Sequence, residues 1–290
     1  MKMIIFLISL IASSTMAKLN TSEIDRQYII QQNCAPATYC LPWQKKNRFS
    51  DLIEHIQNKC TFLGYSSKSC ERLVKDTFEI SSPHCPEGKI SEQATNCTML
   101  SKYIALKIVA DFNKYQIYLN RTIDLIYQNK SNSINVYSVL LETVNNEKTQ
   151  AIFLMGLFIN SQQVISILND LGKAEVTNSI SEFINSINKL VAQNIKFDVF
   201  PESISNDLSS NYRMKGYHFW TRAILSSQLK GKGHSSLISR VVATATSAYY
   251  EFFIDWQEHK AEGMTFENRF KNAISDVVFS DGGSRFGVDD

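Results

Sequence analysis

The chain has 290 residues, of which 44% are hydrophobic and 20% are charged, and its formal net charge is +2. This composition is sufficient to bury a sizeable core and excludes an intrinsically disordered protein. The small net charge gives no electrostatic basis for binding nucleic acid, which is therefore not expected as a partner.

The N-terminus carries the pattern of an export signal. Lys2 precedes an apolar run from Met3 to Ala12, and small residues ending at Ala17 follow it. A charged start, a hydrophobic segment too short to span a bilayer and a Thr-x-Ala cleavage site are typical of a secretory signal peptide. We therefore assign residues 1–17 to a signal peptide and expect a periplasmic or secreted protein.

All six cysteines follow the signal within a short stretch of the chain. In an exported protein, such a density predicts a module that is stapled by disulfide bonds. The spacing does not choose among the pairings that six cysteines allow. The predicted disulfide cysteines are Cys34, Cys40, Cys60, Cys70, Cys85 and Cys97.

Helical periodicity dominates the rest of the chain, and 195–201 is the only plausible strand. The sequence predicts an all-α protein, a helical bundle with an N-terminal disulfide-stapled helical module at 18–129 and a helical C-terminal domain at 134–290. The polar segment 129–133 is the predicted linker. The predicted helices up to the strand lie near 50–64, where Ser50 is the N-cap and Gly64 follows the end, and near 69–78, 97–115, 134–144, 149–160, 162–171 and 178–194.

The most apolar segment after the signal is 151–159. It is too short to cross a bilayer, so we interpret it as a buried helix and expect no transmembrane segment in the mature protein.

The last third of the chain contains three predicted helices. The first lies near 209–229 and is broken by the Lys-Gly-Lys-Gly segment at 230–233. A long helix at 235–261 and a final helix at 266–279 follow, and a flexible tail is expected from Ser280 onward.

One strip of the long helix, with a residue every four positions, combines two kinds of side chain. Its first half is small, which allows close approach of another helix, and its second half is a column of carboxylates and an imidazole. Such a column can ligate a divalent metal such as zinc or share a proton in acid–base chemistry. If the preceding helix packs as an antiparallel hairpin, it supplies a further ligand. The candidate metal ligands are His218, Glu251, Asp255 and His259.

A structural interpretation of the same residues stays open. The column can be the solvated edge of an amphipathic helix, and His218, which lies among aromatic residues, can be a core histidine. Lys230, Lys232 and His234 alternate with glycines and can likewise form either an anion-binding nest or a solvated loop.

The candidate residues form part of an ordered series over 212–287, namely Lys215-x-x-His218-Phe219, then Glu251-x3-Asp255, then Gly263, Phe266 and Asp276. The series resembles a family of uncharacterised bacterial envelope proteins. Members of this family carry an Asp-Lys-x-x-His helix, a Glu…Asp-Gly helix and an Asp-containing helix that ends near Gly. This chain departs from the pattern at Met214, in place of Asp, and at Trp256, in place of Gly. The resemblance implies an envelope location and helical hairpins, and it directs attention to His218, Glu251 and Asp255.

The sequence therefore predicts an exported envelope or extracellular protein with a non-catalytic binding or structural role. On this interpretation it has an envelope or extracellular partner and needs no cofactor. The alternative is a metal-assisted hydrolase acting on cell-envelope material, with a divalent metal such as zinc as its cofactor. A solvent-exposed column without contact to His218 would exclude the hydrolase.

Overall fold

The structure is a computed structural model that describes residues 54, 56–58, 60–81, 100–129, 131, 133–201, 212–252 and 263–289. The predicted signal peptide and the cysteines at positions 34, 40, 85 and 97 lie outside the described residues. The predicted all-α fold is confirmed, since helices account for most of the described chain.

Residues 54, 56–58 and 60–62 are helical, and seven further helices and two short strands with defined bounds precede the C-terminal part of the fold. The elements in chain order are α1 (Ser67–Ser81), α2 (Ser101–Ala110), α3 (Phe112–Gln128), β1 (Ser133–Asn135), α4 (Val136–Thr143), α5 (Lys148–Ile159), α6 (Ser161–Asp170), α7 (Ala174–Val191) and β2 (Lys196–Asp198). Helices α4 to α7 lie within a few residues of their predicted positions. The long helix predicted at 97–115 is instead broken at Asp111, whose backbone (φ −139°, ψ 50°) is not helical.

A disulfide bond joins Cys60 to Cys70, which lies in the first turn of α1. Both cysteines are buried in the hydrophobic core. A disulfide in the N-terminal module is therefore confirmed for this pair. The bond closes a loop that contains Tyr65, and such closure stabilises the fold mainly by restricting the unfolded chain.

The two strands form a short parallel pair in which Ile134 lies opposite Phe197. Strand β2 falls inside the predicted strand at 195–201, but the prediction that this is the only strand is wrong, because residues 133–135 form β1. The reason is Asn135. Its side-chain oxygen caps α4 by accepting a hydrogen bond from the Ser138 amide at 2.9 Å, and its side-chain amide donates to the Phe200 carbonyl at 2.6 Å. These bonds hold the residues just before the helix in an extended conformation.

Helix α5 is apolar around its whole circumference, and its residues from Ala151 to Leu157 are all buried. The prediction of a buried helix at 151–159 is thus confirmed. Among the described residues, no single helix has the length and apolarity that crossing a membrane requires. Helices α5 and α6 meet those criteria only as a pair, and this pair is bent by 80°.

Three helices complete the fold, namely α8 (Tyr212–Gly231), α9 (Ser236–Tyr250) and α10 (Phe266–Val288). The start of α8 contacts the end of α9, so the two helices form the predicted antiparallel hairpin. Ser235 caps α9 by accepting a hydrogen bond from the Ile238 amide at 3.3 Å, as expected for a helix beginning there. The predicted continuation of this helix to residue 261 lies outside the described residues beyond 252.

Small side chains line the contacts among these three helices. The predicted close approach along the small strip of α9 is confirmed, because all its members inside the helix are fully buried. The buried small residues of the two helices are Ser239, Ala243, Ala245, Ser247 and Ala248 on α9 and Ala273, Ser280, Gly283, Ser284 and Gly287 on α10.

The prediction that the final helix ends at 279 is wrong, because α10 continues to Val288. Gly283 and Gly287 rest against the backbone of α8, where an added Cβ would overlap the carbonyl oxygens of Phe219 and Ala223. The end of the helix is held by two lysines. Lys230 Nζ donates to the Val288 carbonyl at 2.8 Å, and Lys148 Nζ donates to the Asp289 carbonyl at 2.5 Å.

The predicted domain boundary stays a prediction. Contacts do cross it, since the Tyr103 hydroxyl of α2 donates to Gln228 Oε1 of α8 at 2.8 Å. The buried residues on both sides of 129–133 also belong to one hydrophobic cluster.

Replacing Gly283 with Ala should lower the free energy of unfolding by about 3 kcal/mol, because the new methyl group would collide with the backbone of α8. The neighbouring variant Gly282→Ala is the matched control. Its Cβ would meet nothing closer than 3.7 Å, so the better helix propensity of Ala should stabilise the protein by about 0.5 kcal/mol. Urea denaturation followed by circular dichroism measures both effects, and equal stability of the two variants would contradict this account of the contact.

Candidate metal centre

Three side chains meet where α8, α9 and α10 converge. His218 Nδ1 lies 3.3 Å from Glu251 Oε1, and His218 Nε2 lies 3.8 Å from Asp276 Oδ1. One ligand atom from each of the three residues lies within 4.8 Å of the other two. The imidazole is therefore placed between two carboxylates.

Each of these residues is delivered by a different helix. His218 lies on α8 and Asp276 on α10, whereas Glu251 directly follows α9, where the helix widens into a π-helical turn at 251 and 252. Turns of this kind are frequent at functional sites. The exposed fractions of the side chains are 12% for His218, 1% for Glu251 and 6% for Asp276. The carboxylates are thus buried, and only the imidazole has an edge near the surface.

The pKa of Tyr217 responds to charged groups near the carboxylates. Burial raises the pKa of Tyr217, the charge of Glu251 raises it further, and the charge of Arg222 lowers it. Arg222 is itself buried, one turn beyond His218 on α8. Buried carboxylates are stabilised by charged or hydrogen-bonding partners, and a bound cation is one such partner.

The donor set suits a divalent transition metal. Imidazole nitrogen and carboxylate oxygen bind zinc at about 2.0–2.2 Å, so two ligand atoms on one ion lie roughly 3–4 Å apart. The distances from His218 to the two carboxylates fall in that range, but they start from opposite ring nitrogens, and one ion binds only one of these. Either all three residues are ligands, or Glu251 orients the ring through Nδ1 while Nε2 and Asp276 bind the ion, as in carboxylate–histidine–zinc sites.

The structure brings together two of the four predicted ligands, His218 and Glu251. Asp255 and His259 lie outside the described residues. Asp276 was not among the predicted ligands, although it stands in the ordered series that carries the family resemblance. A second signal for it is positional, because an acid at 276 shares the buried face of α10 with Ala273 and Ser280.

The burial of Glu251 distinguishes a solvated helix edge from a candidate metal ligand. The residue is not on a solvated helix edge, since it is buried and contacts His218. The condition that would have excluded the hydrolase is therefore not met. The alternative of His218 as a core histidine without a ligand is consistent with the same contacts.

The sequence left two alternatives for the segment after α8, an anion-binding nest and a solvated loop. In the structure, carboxylates of α1 contact its basic side chains. Asp76 of α1 lies 2.7 Å from His234 Nε2 and 3.4 Å from Lys232 Nζ. Lys232 also pairs with Glu79 at 3.0 Å, and Arg72 Nε lies 3.6 Å from Asp76. We call these five residues the α1 clasp. Two acids face two permanent cations in it, so its charges are balanced when the imidazole is neutral.

Two hydrogen bonds extend the clasp along the turn between α8 and α9. The guanidinium of Arg72 donates to the Lys232 carbonyl at 2.5 Å, and the Tyr65 hydroxyl lies 2.6 Å from Ser235 Oγ. The turn is made possible by Gly233, whose φ of 91° falls in the left-handed region. The clasp therefore joins the disulfide-bonded part of the chain to the C-terminal hairpin.

Comparisons of the chain with family models, curated proteins and solved structures give no match. The resemblance over 212–287 consequently stays a prediction, and the function must be argued from the geometry of the centre.

The variant Asp76→Asn should destabilise the protein by about 2 kcal/mol, because it removes the one charge that His234, Lys232 and Arg72 share in a buried setting. Glu79→Gln is the matched control. Its carboxylate is 38% exposed and contacts only Lys232 among the cations of the clasp, so its loss should cost less than about 1 kcal/mol. Thermal unfolding of both variants tests this prediction, and a larger loss of stability in Glu79→Gln than in Asp76→Asn would contradict the central role of Asp76.

Proposed function

We propose that the protein is an exported, non-catalytic binding protein for a divalent transition-metal ion of the zinc type. His218, Glu251 and Asp276 would hold the ion. The observation that supports the proposal is the convergence of these three side chains, one from each C-terminal helix, with their ligand atoms within 4.8 Å of one another in a buried setting.

The contrast between the two charged clusters strengthens the argument. In the α1 clasp, ammonium and guanidinium groups already neutralise the carboxylates, and Lys232 occupies the place that an ion would take. At the His218 centre an imidazole, which can bind a metal ion, lies between the two carboxylates. A divalent ion would offset the cost of burying Glu251 and Asp276, and it would bind the imidazole through a lone pair.

The ligand chemistry also selects the class of ion. Calcium and magnesium prefer coordination by oxygen alone, whereas imidazole together with carboxylate favours zinc and related transition metals. Because the three ligands come from three helices, the bound ion would link α8, α9 and α10. Binding would thus stabilise the folded protein in proportion to its affinity.

Location outside the cytoplasm belongs to the same proposal. The charged start, apolar run and small residues at 1–17 have the form of a signal peptide, and the Cys60–Cys70 bond suits an oxidising compartment. A metal-binding protein in such a compartment would present its ion, or the helices that the ion orders, to an envelope or extracellular partner.

The wild-type protein, secreted with its own signal and purified without chelators, should contain about one zinc ion per chain by elemental analysis. After gentle removal of zinc, Co²⁺ should produce the visible absorption of a bound ion. The variants His218→Gln and Asp276→Asn should lose both signals, because each removes a ligand while nearly preserving side-chain volume.

His234→Gln is the matched control for these variants. It changes a buried histidine of the α1 clasp that has no role at the centre, so it should retain full metal content. A folded wild-type protein without stoichiometric metal, or equal metal content in His218→Gln, would contradict the proposed function.

A second candidate function, a metal-assisted hydrolase acting on cell-envelope material, is favoured by one observation. The imidazole of His218 is partly exposed while both carboxylates are buried, so a remaining coordination position would face the surface. Catalytic zinc sites combine three protein ligands with a water, and the ion lowers the pKa of that water so that hydroxide attacks the substrate. In that arrangement His218 and Asp276 would be ligands of the ion, and Glu251 would accept the proton of the water instead of binding the ion.

The hydrolase candidate predicts that the zinc-loaded wild type cleaves envelope glycan or peptide substrates and that Glu251→Gln lowers the turnover at least about 100-fold. Product release followed by chromatography is the measurement. Retention of the ion by Glu251→Gln would identify a catalytic role, whereas absence of turnover in the zinc-loaded wild type would leave the binding function alone.

A further inference from the structure

Two buried serines lie next to the candidate metal centre. Ser247 Oγ of α9 donates a hydrogen bond to Ser280 Oγ of α10 at 2.6 Å, and neither residue is exposed to solvent. This bond joins the two helices that deliver the carboxylates.

The register of the helices places this bond one helical turn from both ligands. Ser247 precedes Glu251 by four residues, and Ser280 follows Asp276 by four residues. Residues four apart share a helix face, so the bond and the carboxylates lie on the same face of each helix. Helices α9 and α10 run antiparallel here. The hydrogen bond and the carboxylate pair therefore lie at successive positions of one contact, about 6 Å apart along the helix axes.

Packing alone does not explain the two hydroxyl groups. Other positions on the same contact are occupied by Ala243 and Ala273, which fill similar volumes without polar atoms. Contacts between small apolar groups tolerate sliding of one helix along the other. A short hydrogen bond between hydroxyls does not, because it weakens steeply with distance and angle.

Metal ligation requires this kind of precision. Ligand distances must be held within about 0.2 Å, so an axial slip of about 1 Å between α9 and α10 would separate Glu251 from Asp276 by more than the ion tolerates. Arg240 and Thr244 of α9 both contact Asp281 of α10 further from the centre, at 3.3 and 3.2 Å. The serine hydrogen bond is shorter and nearer to the carboxylates, so it is better placed to set their register.

We propose that Ser247 and Ser280 are positioning residues of the metal centre, which fix the register of α9 and α10 so that Glu251 and Asp276 meet on one ion. The proposal rests on the proposed metal-binding function. It assigns a role at the centre to two residues that do not touch the ion.

The test compares Ser247→Ala and Ser280→Ala with Ser284→Ala. The control residue is equally buried on α10, but its hydroxyl donates to the Ser280 carbonyl within its own helix, at 2.8 Å. Titration of the metal-free proteins with Co²⁺ should show at least tenfold weaker binding in the first two variants and wild-type affinity in the control. The double variant Ser247→Ala/Ser280→Ala removes both hydroxyls, so no buried hydroxyl remains without a hydrogen-bond partner. It should show the same loss of Co²⁺ affinity and replaces a single variant that folds poorly.

A measurement without metal distinguishes positioning from general destabilisation. The ¹⁵N chemical shifts of the His218 imidazole, assigned with His218→Gln, report on the carboxylates around the ring. They should change in Ser247→Ala and Ser280→Ala and stay unchanged in Ser284→Ala. Wild-type Co²⁺ affinity in the double variant would overturn this proposal alone. Absence of Co²⁺ binding by the wild type would overturn the proposed function and this proposal with it.

Discussion

The direct contact of two helix backbones is the constraint on which the C-terminal part of the fold depends. Gly283 and Gly287 allow α10 to lie against the carbonyl groups of α8, and no larger residue fits at either place. Such a contact fixes the axial position of one helix on the other. Because His218 precedes Phe219 and Asp276 lies about two turns before Gly283, the same contact decides which groups can meet at the candidate metal centre.

Two polar clusters are built on this scaffold, and their charges differ. The α1 clasp contains its own cations, so it is complete as a link between distant parts of the chain. The His218 centre places two carboxylates around one imidazole in an interface of small residues, where water gives little screening. An imidazole between two carboxylates is a donor set that metals bind, whereas ammonium and guanidinium groups face the carboxylates of the clasp. This difference in composition distinguishes the candidate binding site from the structural cluster.

Much of the fold could be predicted from local patterns in the sequence. Helical periodicity located α4 to α7 because each buries one side, or in α5 every side, against the core. The meeting of His218 with Glu251 followed from the hairpin and the four-residue spacing. What local pattern missed depended on distant partners. Asn135 forms an extended segment through its bond with Phe200, and the glycines near the end of α10 continue a helix because α8 lies beneath them. Sequence analysis missed Asp276 as a ligand for the same reason, since only the packing of the helices shows which turn of α10 faces His218.

The α1 clasp also has a consequence for the order of events during synthesis. His234 and Asp76 are 158 residues apart in the chain. At about 5–20 residues per second, a ribosome needs roughly 10–30 s to make the intervening segment. Through that interval α1 carries acidic groups whose partners Lys232 and His234 do not yet exist. Helix α1 reaches its final environment only when the hairpin has been made, so an early part of the chain completes its contacts among the last.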